Sequence, residues 1–411
     1  MKAEIFAIGT EILFGQIVDT NSTWLAGRLP ALGIDLYYIS TMGDNQARMV
    51  ECLRRAWDRS DLIITTGGLG PTEDDLTREA IAELLGEPMT REPGLEEALR
   101  ERWRRRGMPM PERNLKQAAL IASATAIPNP RGSAPGWWVE RDGRTIVSMP
   151  GVRNEMYLMW EEQVEPRLRE RSDGTIILSR NIKTSGLSEA LVDEMVSPLL
   201  SSANPTIGVY AKVDGIHLRL SAKAPRRAEA EGLLKELEGK VRAILKDAVW
   251  GVDEETPEGA VGTLLKERGL TVATMESCTG GLLASTITDV PGSSGYFKGG
   301  IVSYTNEVKI EAGVSPKTIE KHGAVSPETA IEMARAVRMK LGADVGMAIT
   351  GVAGPDPLEG KPPGTVYIGL VTAQDQRATS GGIYLPNRPD IKQRATVNAL
   401  LFLRRYLLGM E

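Results

Sequence analysis

Histidine and cysteine are almost missing from this chain of 411 residues: there are only His217 and His322, Cys52 and Cys278. The two cysteines lie far apart and show no metal-ligand spacing. No disulfide framework is expected, and a reducing compartment fits. No apolar run reaches the ~18 residues of a membrane span. The start, Met1 to Gly9, reads as a strand with a charge in it rather than a signal peptide. A cytoplasmic location without a membrane partner is therefore expected. A net charge of −5 gives no electrostatic reason for broad nucleic-acid or anionic-membrane binding. The one basic run, Arg100 to Arg106 around Trp103, reads as a solvated helix face. Apolar and charged fractions of 42% and 25% are ordinary for a globular protein, and the length suits roughly two to four domains.

With so little histidine, the segment Glu276-Ser277-Cys278-Thr279-Gly280-Gly281 becomes the most informative one. It follows an apolar run, Leu270 to Met275, that predicts a buried strand, and precedes an amphipathic run with Leu282, Leu283 and Ile287 that predicts a helix. A small nucleophile at a strand-to-helix turn has backbone N–H groups and a helix dipole near it, as acyl transfer requires. Serine needs a base. His217 sits in an alternating strand pattern and His322 ends a short helical run before Gly323, so neither is an obvious partner. A desolvated lysine can serve instead, as in serine–lysine variants of the triad. Lys309, after an apparent strand and turn through Gly299 to Asn306, is one lysine among several. Cys278 competes as nucleophile, since a thiolate at a helix N-terminus can have a lowered pKa; residue chemistry alone leaves both open. Ser277 and Thr350 each follow an apolar strand, so both should emerge on one edge of a sheet.

Three blocks in this order resemble the CinA C-terminal family: Glu276 to Gly281, Ser303-Tyr304-Thr305-Asn306-Glu307-Val308-Lys309, and Thr350-Gly351-Val352-Ala353-Gly354-Pro355. Characterised members of that family are nicotinamide-nucleotide amidases. The resemblance implies Ser277 as nucleophile, Lys309 as its base and Tyr304 beside them. It also implies Thr279, Gly280, Gly281, Thr350 and Gly351 around the substrate, with the oxyanion on amides from Thr279 to Gly281 and no cofactor. Arg388, in Asn387-Arg388-Pro389-Asp390, falls where the family commonly has Gly-Asp-Arg, and is assigned to the substrate's phosphate.

The first segment, residues 1–170, alternates strands (Glu4–Ile8, Asp35–Thr41, Asp61–Thr66) with helices (about Ser22–Leu32, Ala47–Arg59, Asp75–Leu85). That rhythm predicts a parallel sheet with ligands at its carboxyl edge. Three polar loops fall there: Gly9-Thr10-Glu11, Gly43-Asp44-Asn45, and Gly67-Gly68-Leu69-Gly70-Pro71-Thr72-Glu73-Asp74-Asp75. The last can present amides to an anion. Its acidic trio could cap the following helix or hold Mg²⁺ against a pyrophosphate, with Asp74 and Asp75 the metal candidates. The run Gly67 to Thr77, with Met149 to Met156 (Arg153 standing where proline is common), resembles the MoaB/Mog-like N-terminal domain of CinA proteins. That likeness implies ADP-ribose pyrophosphatase activity with a divalent metal ion.

Residues 171–252 read β-α-β-β-α, with the hairpin turn at Asp214-Gly215 and a long helix over Pro225–Lys246. The order resembles a KH-like module, but a nucleic-acid-binding one carries Gly-x-x-Gly, which is absent. A spacer or dimerisation role is expected, with no nucleic-acid partner. Asp253 to Pro257 is a linker ending in a helix start, and residues 253–411 alternate again: helices 257–268, 279–288, 326–341 and 389–407, strands 270–275, 300–304, 344–350, 364–372 and 378–384. The expected fold is α/β: two domains with mainly parallel sheets joined by a small α+β module. The expected function is a bifunctional pyridine-nucleotide salvage hydrolase acting on nicotinamide mononucleotide and ADP-ribose, and a homodimer. A non-catalytic nucleotide or pterin binder, or a competence-associated partner protein, is the alternative.

Overall fold

The computed structural model describes residues 1–171, 174–380 and 387–410. These form two compact units, Met1–Leu178 with Ala222–Leu234, and Ser179–Ser221 with Lys235–Glu411.

The N-terminal strands are β1 (Lys2–Ile8), β2 (Asp35–Met42), β3 (Leu62–Thr66), β4 (Thr90–Arg91), β5 (Ala119–Leu120), β6 (Ala124–Ile127), β7 (Gly136–Arg141) and β8 (Arg144–Met149). β4 and β5 form a small ribbon; the others make one sheet in the order β2-β1-β3-β8-β7-β6. β2, β1, β3 and β8 run parallel, and β7 and β6 add antiparallel strands. Alternation along β3 explains why both faces are covered. Leu62 and Ile64 pack with Leu25, Leu29 and Trp160, while Ile63 packs with Leu53, Ile81 and Trp137 on the other face. At Pro30, which cannot continue an α-helix, the helix Thr20–Arg28 tightens into a 3₁₀ turn over Leu29–Leu32, and Gly33 ends it with φ 68°.

The middle strands are β9 (Ile176–Thr184), β10 (Thr206–Lys212), β11 (Gly215–Ala224) and β12 (Val249–Val252), in the order β10-β11-β9-β12. Lys212 pairs with Gly215, so the two-residue loop is Val213-Asp214 and not the expected Asp214-Gly215. The long helix is Arg227–Leu245.

The C-terminal strands are β13 (Val272–Glu276), β14 (Phe297–Val302), β15 (Val345–Gly351), β16 (Val366–Val371) and β17 (Gln376–Ser380), in the order β14-β13-β15-β16-β17. The first three are parallel; β16 and β17 are antiparallel. The expected strand 378–384 is described only to Ser380, and 381–384 lie outside the described residues. Helices Pro257–Arg268, Leu282–Thr288 and Arg388–Leu407 cover one face through Leu265, Leu283, Ile287 and Ala395. Pro327–Leu341 covers the other through Met333 and Val337. Ser326 and Asn387 cap their helices by accepting from the amides of Thr329 and Asp390. The architecture is therefore the mixed α/β fold expected, with parallel-containing sheets at both ends. Among the described residues no helix is long and apolar enough to cross a membrane.

Candidate functional site

Register sets the C-terminal site. Glu276 stands opposite Val302 on one side and Ile349 on the other. Ser277, Ser303 and Thr350 therefore all leave the sheet at one carboxyl edge, where ligands of parallel sheets bind. Two bonds extend the ladder past the strands: Ser277 N–H donates to Ile349 C=O (2.9 Å) and Ser303 N–H to Glu276 C=O (2.8 Å).

Lys309 lies on a short helix, Asn306–Glu311, where the sequence suggested no element. That helix aims its side chain back under the sheet edge, where it is 1% exposed. Its Nζ lies 3.1 Å from Ser277 Oγ, 2.9 Å from the Ser303 carbonyl and 3.4 Å from the Tyr304 carbonyl. The geometry suits a neutral amine: two N–H bonds serve the two carbonyls, and the lone pair is left for the serine hydroxyl. Burial pushes the Lys309 pKa down, which favours that form. Ser277 is itself 8% exposed. Burial pushes the Cys278 thiol up to about 11, the opposite of what a thiolate nucleophile needs. Neither histidine reaches Ser277: His217 pairs with Asn181 (3.1 Å), and His322 lies 3.4 Å from Glu328.

The helix after the nucleophile begins at Leu282, not at residue 279. The sequence argument gave Glu276 no role, yet its buried carboxylate accepts from the amides of Gly281 (3.1 Å), Leu283 (3.0 Å) and Ala284 (2.8 Å). It closes the helix N-terminus from inside. Gly280 N–H turns back to the Ser277 carbonyl (3.1 Å). The oxyanion donors expected over Thr279 to Gly281 thus narrow: among the described residues, the amides of Cys278 and Thr279 have no protein acceptor. Gly280 takes φ 64°, which explains a glycine in the turn. The signal for Glu276 was legible in principle, as a carboxylate ending an apolar strand just before two glycines.

Thr350 is buried and donates to the Ala324 carbonyl at 2.7 Å, so its hydroxyl braces the strand end. Gly351 ends the same strand. Tyr304 is 57% exposed, and its hydroxyl accepts from Arg388 Nη2 at 2.6 Å, while Arg388 Nη1 donates to Gly354 C=O at 2.8 Å. The block ending in Lys309, the Gly354 loop and Arg388 are therefore brought together.

The first sheet carries a second cleft, also at a carboxyl edge, of about 590 Å³. Gly9, Glu11, Asp44, Gly67, Gly68, Gly70, Thr72, Asp74 and Asp75 all line it. Thr10 sits behind them, its amide (2.9 Å) and hydroxyl (2.7 Å) donating to one oxygen of Asp44. Gly67 is required: at φ 107°, a Cβ there would lie 2.1 Å from the Ile8 carbonyl. The loop's carbonyls are turned inward. Gly67 C=O accepts from Thr77 Oγ1, Gly68 C=O from Thr77 N–H, and Leu69 C=O from the buried Arg78. Among the described residues, the amides of Gly68, Leu69 and Gly70 have no protein acceptor, which leaves them for an anion. The acidic trio does not cap the helix. That helix begins at Thr77 after Leu76, which makes no side-chain cap bond, and Asp75 instead accepts from the amide of Thr72 at 2.8 Å. Hydrogen bonding from Thr72 holds Asp74 below the usual carboxylate range.

Residues 254–407 match the CinA C-terminal domain, 4–170 the probable molybdopterin binding domain, and 179–251 the damage-inducible protein CinA KH domain. A putative competence-damage inducible protein of Halothermothrix orenii is 43% identical over 409 residues, covering 99% of each chain. One from Moorella thermoacetica is 44% identical over 410 residues, again 99% of each. Among solved structures, the protein CinA with unknown function from Thermoplasma acidophilum is 28% identical, with a TM-score of 0.39, covering 41% of this chain and 99% of that one. A CinA superfamily protein from Escherichia coli is 30% identical, with a TM-score of 0.36, covering 39% of this chain and 94% of that one.

Proposed function

The chain belongs to the CinA family, and from that premise we propose that its C-terminal domain is a serine–lysine amidase that deamidates nicotinamide mononucleotide. The observation that carries the reading is the contact of 3.1 Å between a buried lysine amine and Ser277 Oγ. Ser277 Oγ attacks the carboxamide carbon as Lys309 takes its proton. The oxyanion forms beside the amides of Cys278 and Thr279. Lys309 then delivers the proton to departing ammonia, and water, deprotonated by Lys309, releases nicotinate mononucleotide and regenerates the serine. Arg388, braced by Tyr304 and Gly354, supplies a cation for the phosphate.

Ammonia release from nicotinamide mononucleotide, measured with EDTA present, tests this. Wild type and Cys278→Ala should be active and Ser277→Ala inactive; activity retained in Ser277→Ala, or absent from wild type, overturns it.

The N-terminal cleft is proposed to hydrolyse ADP-ribose to AMP and ribose 5-phosphate with a divalent cation. Among the described residues, no group of three or more metal-ligating side chains converges, so a cage made wholly of protein ligands does not fit. A cation shared with the substrate does, since Mg²⁺ is commonly held by one or two carboxylates plus phosphates. Asp74 and Asp75 line the cleft beside the free loop amides, and Asp44 keeps one oxygen outside its bonds to Thr10. The cation would neutralise charge on the pyrophosphate. The competing reading, a non-catalytic nucleotide or pterin binder, draws on the same missing cage.

A further inference from the structure

Lys392 lies one helical turn after Arg388 on the helix Arg388–Leu407, hence on the same face. Both line a cavity of about 710 Å³, which they share with Leu282 and Thr286 of the helix that follows the nucleophile. A side chain at Gly280 would begin 3.8 Å from Lys392 Nζ, so this ammonium sits against the turn that carries Ser277. Among the described residues it has no hydrogen-bond or ion-pair partner. Among the described residues the partners of Arg388 are neutral, the Tyr304 hydroxyl and the Gly354 carbonyl. Two carboxylates, Asp214 and Glu258, also line the cavity, yet neither lies within ion-pair distance of either cation. Asp214 is instead 2.9 Å from His217 Nε2.

Partly buried lysines normally find a carboxylate or extend to water. Here, among the described residues, two cations on one helix face stay without a counter-charge beside the turn that carries Ser277. We propose that Lys392 is the second cation of a phosphomonoester subsite, pairing with Arg388 across the substrate's phosphate and selecting nucleotide over nucleoside. This rests on the amidase reading and adds a residue to it. Arg388 brings a planar fork and Lys392 a point charge, so together they can engage two oxygens of a dianion.

The test compares full-length wild type, Lys392→Ala and Lys392→Arg on nicotinamide mononucleotide and on its dephosphorylated riboside. Lys392→Ala should raise KM for the nucleotide about tenfold or more, the range of a charge-assisted bond, with kcat within about twofold. KM for the riboside should not move, and Lys392→Arg should recover most of the loss. Unchanged nucleotide KM, or an equal effect on both substrates, overturns the proposal. If wild type releases no ammonia, the amidase reading fails separately. Calorimetric titration with ribose 5-phosphate then decides the subsite: loss of one binding event per chain in Lys392→Ala supports it, and identical titrations overturn it.

Discussion

At the scale of single residues, Lys309 carries both the proposed chemistry and a cost. Its Nζ is buried without a carboxylate, against two carbonyls and a hydroxyl, and burial lowers its pKa. Only the neutral amine can accept the serine proton, so kcat/KM should rise with pH through that lowered pKa and level off above it. Lys309→Met should lower kcat by about 10²- to 10⁴-fold, the usual weight of a general base, and abolish this limb; a limb that persists would belong to another group. Stability follows the same titration. Between the lowered folded pKa and the unfolded value the unfolded chain binds more protons, so stability rises with pH across that window. The burial penalty is fully present below it. Melting temperature against pH should lose this slope in Lys309→Met. Much of this residue's role was legible only by resemblance. The sequence offered many lysines, and burial, which distinguishes this one, comes from a short helix, Asn306–Glu311, that local patterning did not reveal.

At the scale of elements, the turn that carries Ser277 depends on a carboxylate placed inside the protein. Glu276 satisfies three amides at the start of the helix Leu282–Thr288, a helix too short to be stable on its own. Glu276→Gln puts an amide N–H₂ near those N–H groups and removes the charge facing the dipole. It should destabilise the C-terminal domain by about 1–3 kcal/mol, read as a lower melting transition in calorimetry. It should also lower kcat more than it raises KM, because the same carboxylate fixes the turn holding Ser277. An unchanged transition would mean that water caps the helix as well. Such long-range caps are where sequence reading fell short. The first three strands, the C-terminal strands and the long helices were legible from apolar period and from the linker ending at Pro257, but strands β4 to β8 were not foreseen. Nor were the starts of the helices after Glu276 and after Asp75. Glu276, at its strand end, bonds forward to the amides of Gly281, Leu283 and Ala284, whereas Asp75 bonds back to the amide of Thr72, and each helix starts a few residues later than its apolar pattern suggests. The hairpin shift at Val213-Asp214 has the same origin, in pairing that local composition does not specify.

At the scale of the whole molecule, two sites each stand at the carboxyl edge of parallel strands, in separate compact units. This was the most legible level, since alternating strands and helices already imply such edges, and Gly67 to Asp75 and Glu276 to Gly281 both follow apolar strands. What the sequence left unresolved was how each loop divides its groups between self-bonding and ligand. In the N-terminal cleft the carbonyls are tied to Thr77 and Arg78 while amides remain free. In the C-terminal site the amides of Gly281 and Leu283 are occupied by Glu276. The first loop therefore leaves amides unbonded, as an anion site needs, and the second ties its amides down around Ser277. The two chemistries should separate cleanly. EDTA, Asp74→Asn or Asp75→Asn should cut AMP release from ADP-ribose at least about a hundredfold, the scale of losing several kcal/mol of charge neutralisation, while ammonia release stays at the wild-type rate. Ser277→Ala should do the reverse. Ammonia release that falls with Asp75→Asn would mean the sites communicate. AMP release absent under every divalent metal would reduce the N-terminal cleft to a binding site, because an anion loop alone can retain a pyrophosphate without cleaving it.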